Sequence, residues 1–343
     1  MLRPLVTAVV ASLFGLGAVP VMATDVTPPA IAVIHHLKLG GTGGWDYLSF
    51  DAQRRHLFVS RGDRVLVVDV DHDKQIGTIP HTDGVHGIAI AQDLHRGFTS
   101  NGKSDSVTVF DLDTLKTVAT IKGTGQKPDA IVYDSSSHHV FTMNGKSGNA
   151  SVIDPAKNAV IATIALPGRP EFSVADGSGH LYVNLEDKSE LVEIDSRNNK
   201  LMHTWPLAPC ESPSGLTIDT AHERLFSVCD NQVMAVTDAH DGHHVATVAI
   251  GDGPDAVSFD PAQGLIYSSN GESGTLTVVH EDDADHYKVL ANVPTVVSAR
   301  TQALDPDKHR IYLSSAQLGD TKDARGHRQA VPDSFTILTV GTP

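Results

Sequence analysis

Apolar and polar residues alternate along most of this chain in short runs rich in Val, Ile and Thr, bounded by Gly, Asn, Asp and Ser. That period of two predicts β-strands. HGIAIA (86–91), RGFTSN (96–101), SVTVFD (106–111) and KTVATI (116–121) are four such runs in succession. No stretch sustains an apolar period of 3.6 residues, so helix should be nearly absent.

The four-run unit recurs. PDAIVYDSSSHHVFTMNG (128–145) and PDAVSFDPAQGLIYSSNG (254–271) share six of 18 residues, and most other positions exchange like for like. The aromatic of the second run falls at Phe58, Phe98, Phe141, Tyr182, Phe226, Tyr267 and Tyr312, at spacings of 40, 43, 41, 44, 41 and 45. An acid precedes it in six copies (Asp51, Asp134, Asp176, Asp219, Asp260 and Asp305), and Ala91 replaces it in the second. Four strands in about 40–45 residues make one propeller blade. The pattern predicts an all-β, seven-bladed β-propeller of four-stranded blades. Copy seven provides only RTQALD, RIYLSS and SFTILTV, whereas IAVIHHLKL (31–39) matches a fourth run. The last blade should therefore be closed by the N-terminal strand. Two β-sandwiches would explain neither the period nor the spare strand.

WDYL, HGIAIA, GRPEFSVADG, ARTQALD, the G-x-G-x-P segments (GDGPDA, with GQKPDA a variant) and the ending PDSFTILTV resemble the YVTN-repeat β-propellers, more narrowly the secreted YncE-like proteins. The match runs from about Gly44 to Val340. Only Tyr182, Tyr267 and Tyr312 supply the tyrosine of that repeat, and only Asn101, Asn144 and Asn270 its asparagine. The resemblance implies a seven-bladed propeller outside the cytoplasm and little about chemistry, because propellers host enzymes, redox partners and binding platforms alike.

Residues 1–23 read as a signal peptide: Arg3, an apolar run, then Val21-Met22-Ala23 before the cut. Residues 24–343 form one domain, periplasmic or secreted, and no later stretch is apolar enough to span a bilayer. Asp and Glu number 41 against 26 Lys and Arg, a net charge of -15. That balance argues against nucleic acid and favours cationic partners.

Arg61-Gly62-Asp63 reads as a turn after a second strand, and DAHDGHHV (238–245) as a solvated outer turn despite its three histidines. His35-His36 and His138-His139 read as edge and turn residues. No Walker loop, CxxC pair, haem motif or nucleophile elbow is present. Cys210 and Cys229, the only cysteines, come to one face of blade five and suit a disulfide in an exported protein, with two buried thiols as the alternative.

The residue opening each innermost strand is Asp46, His86, Asp129, Glu171, Ser214, Asp255 or Arg300. These seven should ring one mouth of the central channel, a convergence typical of a site. The bland account is a wet, polar rim. The first reading is a small-molecule or peptide ligand held at this mouth by Asp46, Asp129, Glu171, Ser214 and Asp255. The second is a metal-assisted lyase or lactonase with His86 as general acid or base and Arg300 stabilising negative charge. Asp46, Asp129, Glu171 and Asp255 would then ligate a divalent cation, Ca²⁺ or Mg²⁺ before Zn²⁺ or Mn²⁺. The third is a protein-interaction scaffold with an inert channel. The same face carries the turns 184–187 and 230–231. It also carries the long segment 316–333, which would be a lid or disordered, with Arg325, His327 and Arg328 as counter-charge to the acidic mouth.

Overall fold

The computed structural model describes Met1, residues 30–322, Gly326 and residues 328–343. The expected leader, Met1 apart, lies outside the described residues, as do Arg325 and His327. Seven four-stranded antiparallel sheets form seven blades. Blade one is Leu48–Asp51, His56–Arg61, Arg64–Asp69 and Lys74–Pro80, in sequence order from the channel outward, and blades two to six repeat that order. Blade seven joins Thr301–Asp305, Arg310–Ser315 and Thr336–Gly341 to the N-terminal strand Ala32–Lys38. That last pairing is antiparallel, from Ala32 opposite Gly341 to Lys38 opposite Thr336. The closure expected from the spare strand is therefore present. Among the described residues no helix is long and apolar enough to cross a membrane.

The repeated aromatics occupy the third position of each six-residue second strand and are all buried. They pack into seven apolar clusters, each built from two adjacent blades, so the core is a set of seams. One seam joins Phe141 and Val152 of blade three to Leu181 and Val192 of blade four. Another closes the ring, with Phe335 and Ile337 of blade seven against Leu57 and Val68 of blade one.

The repeated acid has a structural reason. Asp51, Asp134, Asp219, Asp260 and Asp305 are buried at the ends of innermost strands. Their carboxylates accept turn amides two or three residues on, such as Ser136 N–H at 3.2 Å and Ala221 N–H at 2.9 Å. Where Ala91 replaces the acid, the turn is a single 3-10 turn, Gln92–Leu94. Asn101, Asn144 and Asn270 are equally structural. Each is buried and donates to a hydroxyl of the third strand, Thr108, Ser151 and Thr277 respectively, at 2.9 Å. In blade five that position is Cys229, and it forms a disulfide with Cys210, Cα to Cα 5.5 Å.

In blade one the same position is Arg61, only 1% exposed. Its guanidinium turns inward and donates to the carbonyls of Gly43 at 2.6 Å and Gly44 at 3.2 Å, over the Phe335 ring. The turn itself is Gly62-Asp63, as expected. The 238–245 segment is likewise an exposed turn, with His243 Nδ1 against Asp241 at 2.6 Å. The long segment of blade seven carries its own hairpin, Leu318–Lys322 with Arg328–Ala330. Arg328 donates to the carbonyls of Gly319 and Leu318 at 2.9 and 3.0 Å, within that hairpin. The same guanidinium lies 3.5 Å from Asp320, so its described contacts stay within the hairpin.

Candidate functional site

The ring residues reach the mouth through a shared backbone device. In blades two to six the pairing of first and second strand breaks register where the ring residue lies, between Val85 and Ile88, Pro128 and Ile131, Pro170 and Ser173, Pro213 and Leu216, and Pro254 and Ala256. Such bulges take a residue out of the ladder and re-aim its side chain. In blades one and seven the regular strand starts only after Asp46 and Arg300. Latches between blades fix the ring further. Ser100 Oγ donates to the Asp129 carbonyl, Asn184 Nδ2 to the Ser214 carbonyl at 2.9 Å, and Thr301 Oγ1 to the Asp46 carbonyl at 2.7 Å.

The side chains form two charged arcs. On blades one to three, His86 Nδ1 lies 2.5 Å from Asp46 Oδ2 and 3.4 Å from Asp129 Oδ1, and Lys127 Nζ lies 3.2 Å from Asp129 Oδ2. On blades six, seven and one, Arg300 contacts Asp255 at 3.0 Å and Asp46 at 3.7 Å, and donates to the Trp45 carbonyl at 3.3 Å. Glu171, on blade four, has no base partner among the described residues. Its Oε1 accepts the Tyr47 hydroxyl at 3.5 Å. Tyr47 belongs to blade one, so its ring crosses the channel to the opposite side, where it meets Phe172 edge-on at 5.1 Å. Ser214 is buried, and its hydroxyl donates to the Pro254 carbonyl at 2.9 Å. It acts as the latch of a blade whose second strand places Val228 where Ser100 and Ser269 stand.

Burial and like charge strain these acids. Burial, then Asp129 and Asp255, push Glu171 well above the usual carboxylate range. Burial also pushes Asp255 up to about 6, with Arg300 pulling the other way and Asp46 adding to the rise. Asp129 is raised mainly by burial, against the pull of His86. For His86, burial disfavours the imidazolium, yet the Asp46 hydrogen bond and the nearby Asp129 and Asp46 charges outweigh it and raise the group. Farther out, burial and then Glu186, Glu272 and Asp252 raise Asp230. The mouth is thus acidic from its floor to its rim. Of the four acids named as metal ligands, only Asp46 and Asp129 share a cluster, and it includes His86, with donor atoms within 4.8 Å of one another. Asp255 is taken up by Arg300 and Glu171 by Tyr47.

Tyr47 and Lys127 were not singled out in the sequence. A signal existed for the first. One residue after the ring position the chain has Gly87, Ala130, Gly215, Ala256 and Thr301, and only Tyr47 and Phe172 are large. Small residues leave the centre open, and the two aromatics fill it. Below Tyr47 the channel widens into a cavity of about 310 Å³ lined by Phe50, Ile90, Val257 and Leu304 among others.

No model of a known protein family matches the chain. Two proteins described as "Uncharacterized protein YncE", from Salmonella typhimurium (strain LT2) and Salmonella typhi, are 25% and 24% identical to it over 244 residues, 70% of this chain. The chain spans about half the length of these curated relatives, 55% of each. Among solved structures, Kuenenia stuttgartiensis hydrazine synthase superposes with a TM-score of 0.72 at 16% identity, over 84% of this chain and 95% of that one. The WD40 repeats of RRP9 give 0.76 at 13% identity, over 91% and 99%. The solved structures are similar in fold alone. The chain is a seven-bladed β-propeller with weak sequence similarity to YncE proteins.

Proposed function

We propose that this chain is an exported binding protein whose channel mouth captures a small or peptidic ligand through a positively charged group. Glu171 carries the reading. It is a carboxylate in the channel with no base against it among the described residues, facing a phenol ring and two further acids. A carboxylate in that position either keeps its proton or meets a cation. An ammonium or guanidinium entering the mouth would lie between Glu171, Asp129 and Asp255 and over the Tyr47 ring, which adds cation–π attraction. Export is supported by the disulfide, a bond of oxidising compartments, and by the similarity to YncE proteins.

The test is calorimetric titration at pH 7.5 with polyamines and with lysine- and arginine-containing dipeptides, beside neutral and anionic analogues. Glu171→Gln should weaken the cationic ligands about tenfold or more, the value of one charge-assisted contact. Equal binding of anionic analogues, or no effect of Glu171→Gln, would sink the proposal.

The Asp46, His86 and Asp129 cluster favours a second reading, in which a divalent ion sits on these three donors. That ion would be the basis of lyase or lactonase chemistry, with Arg300 polarising the substrate. Metal content of chain purified without chelator separates the two: a stoichiometric ion lost in Asp129→Asn supports the second. A mouth inert to all these ligands leaves the scaffold role.

A further inference from the structure

The opposite face holds an anomaly. At four seams the buried acid that ends an innermost strand receives a hydrogen-bond donor from the next blade. Asp51 receives Gln92 Nε2 at 2.6 Å, Asp134 the Ser196 hydroxyl at 2.6 Å, Asp260 the His309 imidazole at 2.7 Å, and Asp305 the Arg55 guanidinium at 2.8 Å. At the seam between blades five and six, Asp219 meets Glu281, a second acceptor, and burial followed by the Asp219 charge pushes Glu281 up to about 7.

The chain has gone out of its way to place Glu281 there. The third and fourth strands of blade six, Thr275–Asp283 and His286–Pro294, have nine residues each, against six or seven in the other blades. The extra length reaches over blade five, where Arg224 Nε donates to the Ala284 carbonyl at 2.9 Å and Tyr287 packs edge-on against Phe226 at 5.8 Å. Glu281 is brought in by this extension with its side chain 2% exposed, beside Asp219 at 4%. Oε1 of Glu281 accepts the Tyr287 hydroxyl at 3.2 Å. Oε2 accepts no hydrogen bond among the described residues. His222 lies over both acids, with Nδ1 2.6 Å from Asp219 Oδ2 and 3.6 Å from Glu281 Oε1, and is half-exposed. One donor atom from each of the three residues falls within 4.8 Å of the others.

We infer that Asp219, His222 and Glu281 form a divalent-cation site that pins the extended hairpin of blade six to blade five, separate from the channel mouth. The ion supplies the partner that the acids of four other seams obtain from a Gln, Ser, His or Arg donor. Two carboxylate oxygens and one imidazole nitrogen suit Zn²⁺ first and Mn²⁺ next. A hard ion such as Ca²⁺ requires six to eight oxygens, which the cluster does not offer. The exposed edge of His222 is the route of entry and leaves room for water to complete the coordination.

The experiment is Zn²⁺ uptake by equilibrium dialysis and calorimetry at pH 7.5. It uses the full folded chain in the Asp129→Asn background, which removes the mouth cluster from the measurement. One Zn²⁺ per chain is expected, and Glu281→Gln and His222→Gln should each weaken it by about a hundredfold or more, beyond the usual loss of a supporting residue. The second variant changes a half-exposed side chain, so it reads out even if the first folds poorly. Two outcomes overturn the site. One is no uptake, which leaves a proton shared by Asp219 and Glu281. The other is uptake that neither substitution changes, which places the ion on an exposed His–Asp pair elsewhere.

Discussion

The two ends of the innermost strands lie about five residues apart and behave oppositely. At one end the residues are Asp46, His86, Asp129, Glu171, Ser214, Asp255 and Arg300: four carboxylates, an imidazole, a hydroxyl and a guanidinium. At the other they are Asp51, Asp134, Asp176, Asp219, Asp260 and Asp305, with Ala91 the one departure. The constant end folds the chain: its carboxylates accept turn amides and tie one blade to the next. The variable end is held in place by bulges and backbone latches that do not depend on the ring side chain, except at Ser214, whose own hydroxyl is a latch. Side chains released from structural work are free to diversify, and that is where a ligand site can be built.

The comparison breaks first on stability. Asp305→Ala removes the carboxylate that holds Arg55, accepts the Tyr312 hydroxyl at 3.2 Å and caps the turn at Asp307. A loss of about 3–4 kcal/mol is expected in urea unfolding, the cost of breaking a buried pair. Asp255→Asn makes a similar change at the mouth, where Arg300 is partly exposed, and should stay within about 1 kcal/mol. Equal costs would mean that the mouth is scaffold too.

Next comes the mouth's one covalent tie. Cys210→Ser with Cys229→Ser opens a loop of sequence separation 19 and should lower stability by about 3 kcal/mol through chain entropy. Alkylation of unreduced protein should find no free thiol; two alkylated cysteines would contradict the bond.

Smaller is the effect of pH on Glu171. Burial raises this group in the folded chain, so the folded state keeps a proton that the unfolded chain has already released. Its contribution to stability therefore declines as pH rises out of the ordinary carboxylate range, and the loss is complete above the folded value. Glu171→Gln should melt higher than the parent at pH 8 and equally at pH 4. Cation affinity at the mouth should fall on acidification below about pH 6, where Asp255 takes up its proton. Melting curves that differ at pH 4 and coincide at pH 8 would reverse the sign and reject the burial argument.

The smallest change tests the ring's precision. A Cβ at Gly102 would come 2.8 Å from the Cδ2 and Nε2 atoms of His86. Gly102→Ala should cost little stability and push the imidazole off Asp46. The His86 titration followed by NMR should then move down. An unmoved titration would show that the ring tolerates displacement.

Much of this molecule is legible in its sequence because seven copies solve one packing problem. Phe58 through Tyr312 recur because each seam needs an aromatic in the same place. Ring membership could be counted back from the turn acid for the same reason. The pairings could not, because they depend on distances across the channel: nothing local says that Tyr47 reaches Glu171, or that Arg300 takes Asp255 while Glu171 goes without. Lys127 and Glu281 carry no repeat signal because each is an exception to the repeat, one placed just before a strand and the other on a third strand three residues longer than its neighbours'.

Closure of blade seven also orders events in time. Lys38 faces Thr336 across a strand pair, so the first of the propeller's described strands to be made waits for the last. Blades one to six are chains of hairpins between neighbours and form from local contacts. Only the final pairing spans the whole domain, and such distant contacts slow folding. The entropic cost of joining the ends shrinks once six blades have curved the chain into an arc, because the strand then closes a gap between neighbours instead of a loop of some three hundred residues. Until that moment two unpaired edges are open, one at each end of the arc, and another chain can dock there as readily as the proper partner. Synthesis of this propeller is therefore most exposed to aggregation at its last step, when nearly all of its core is already built.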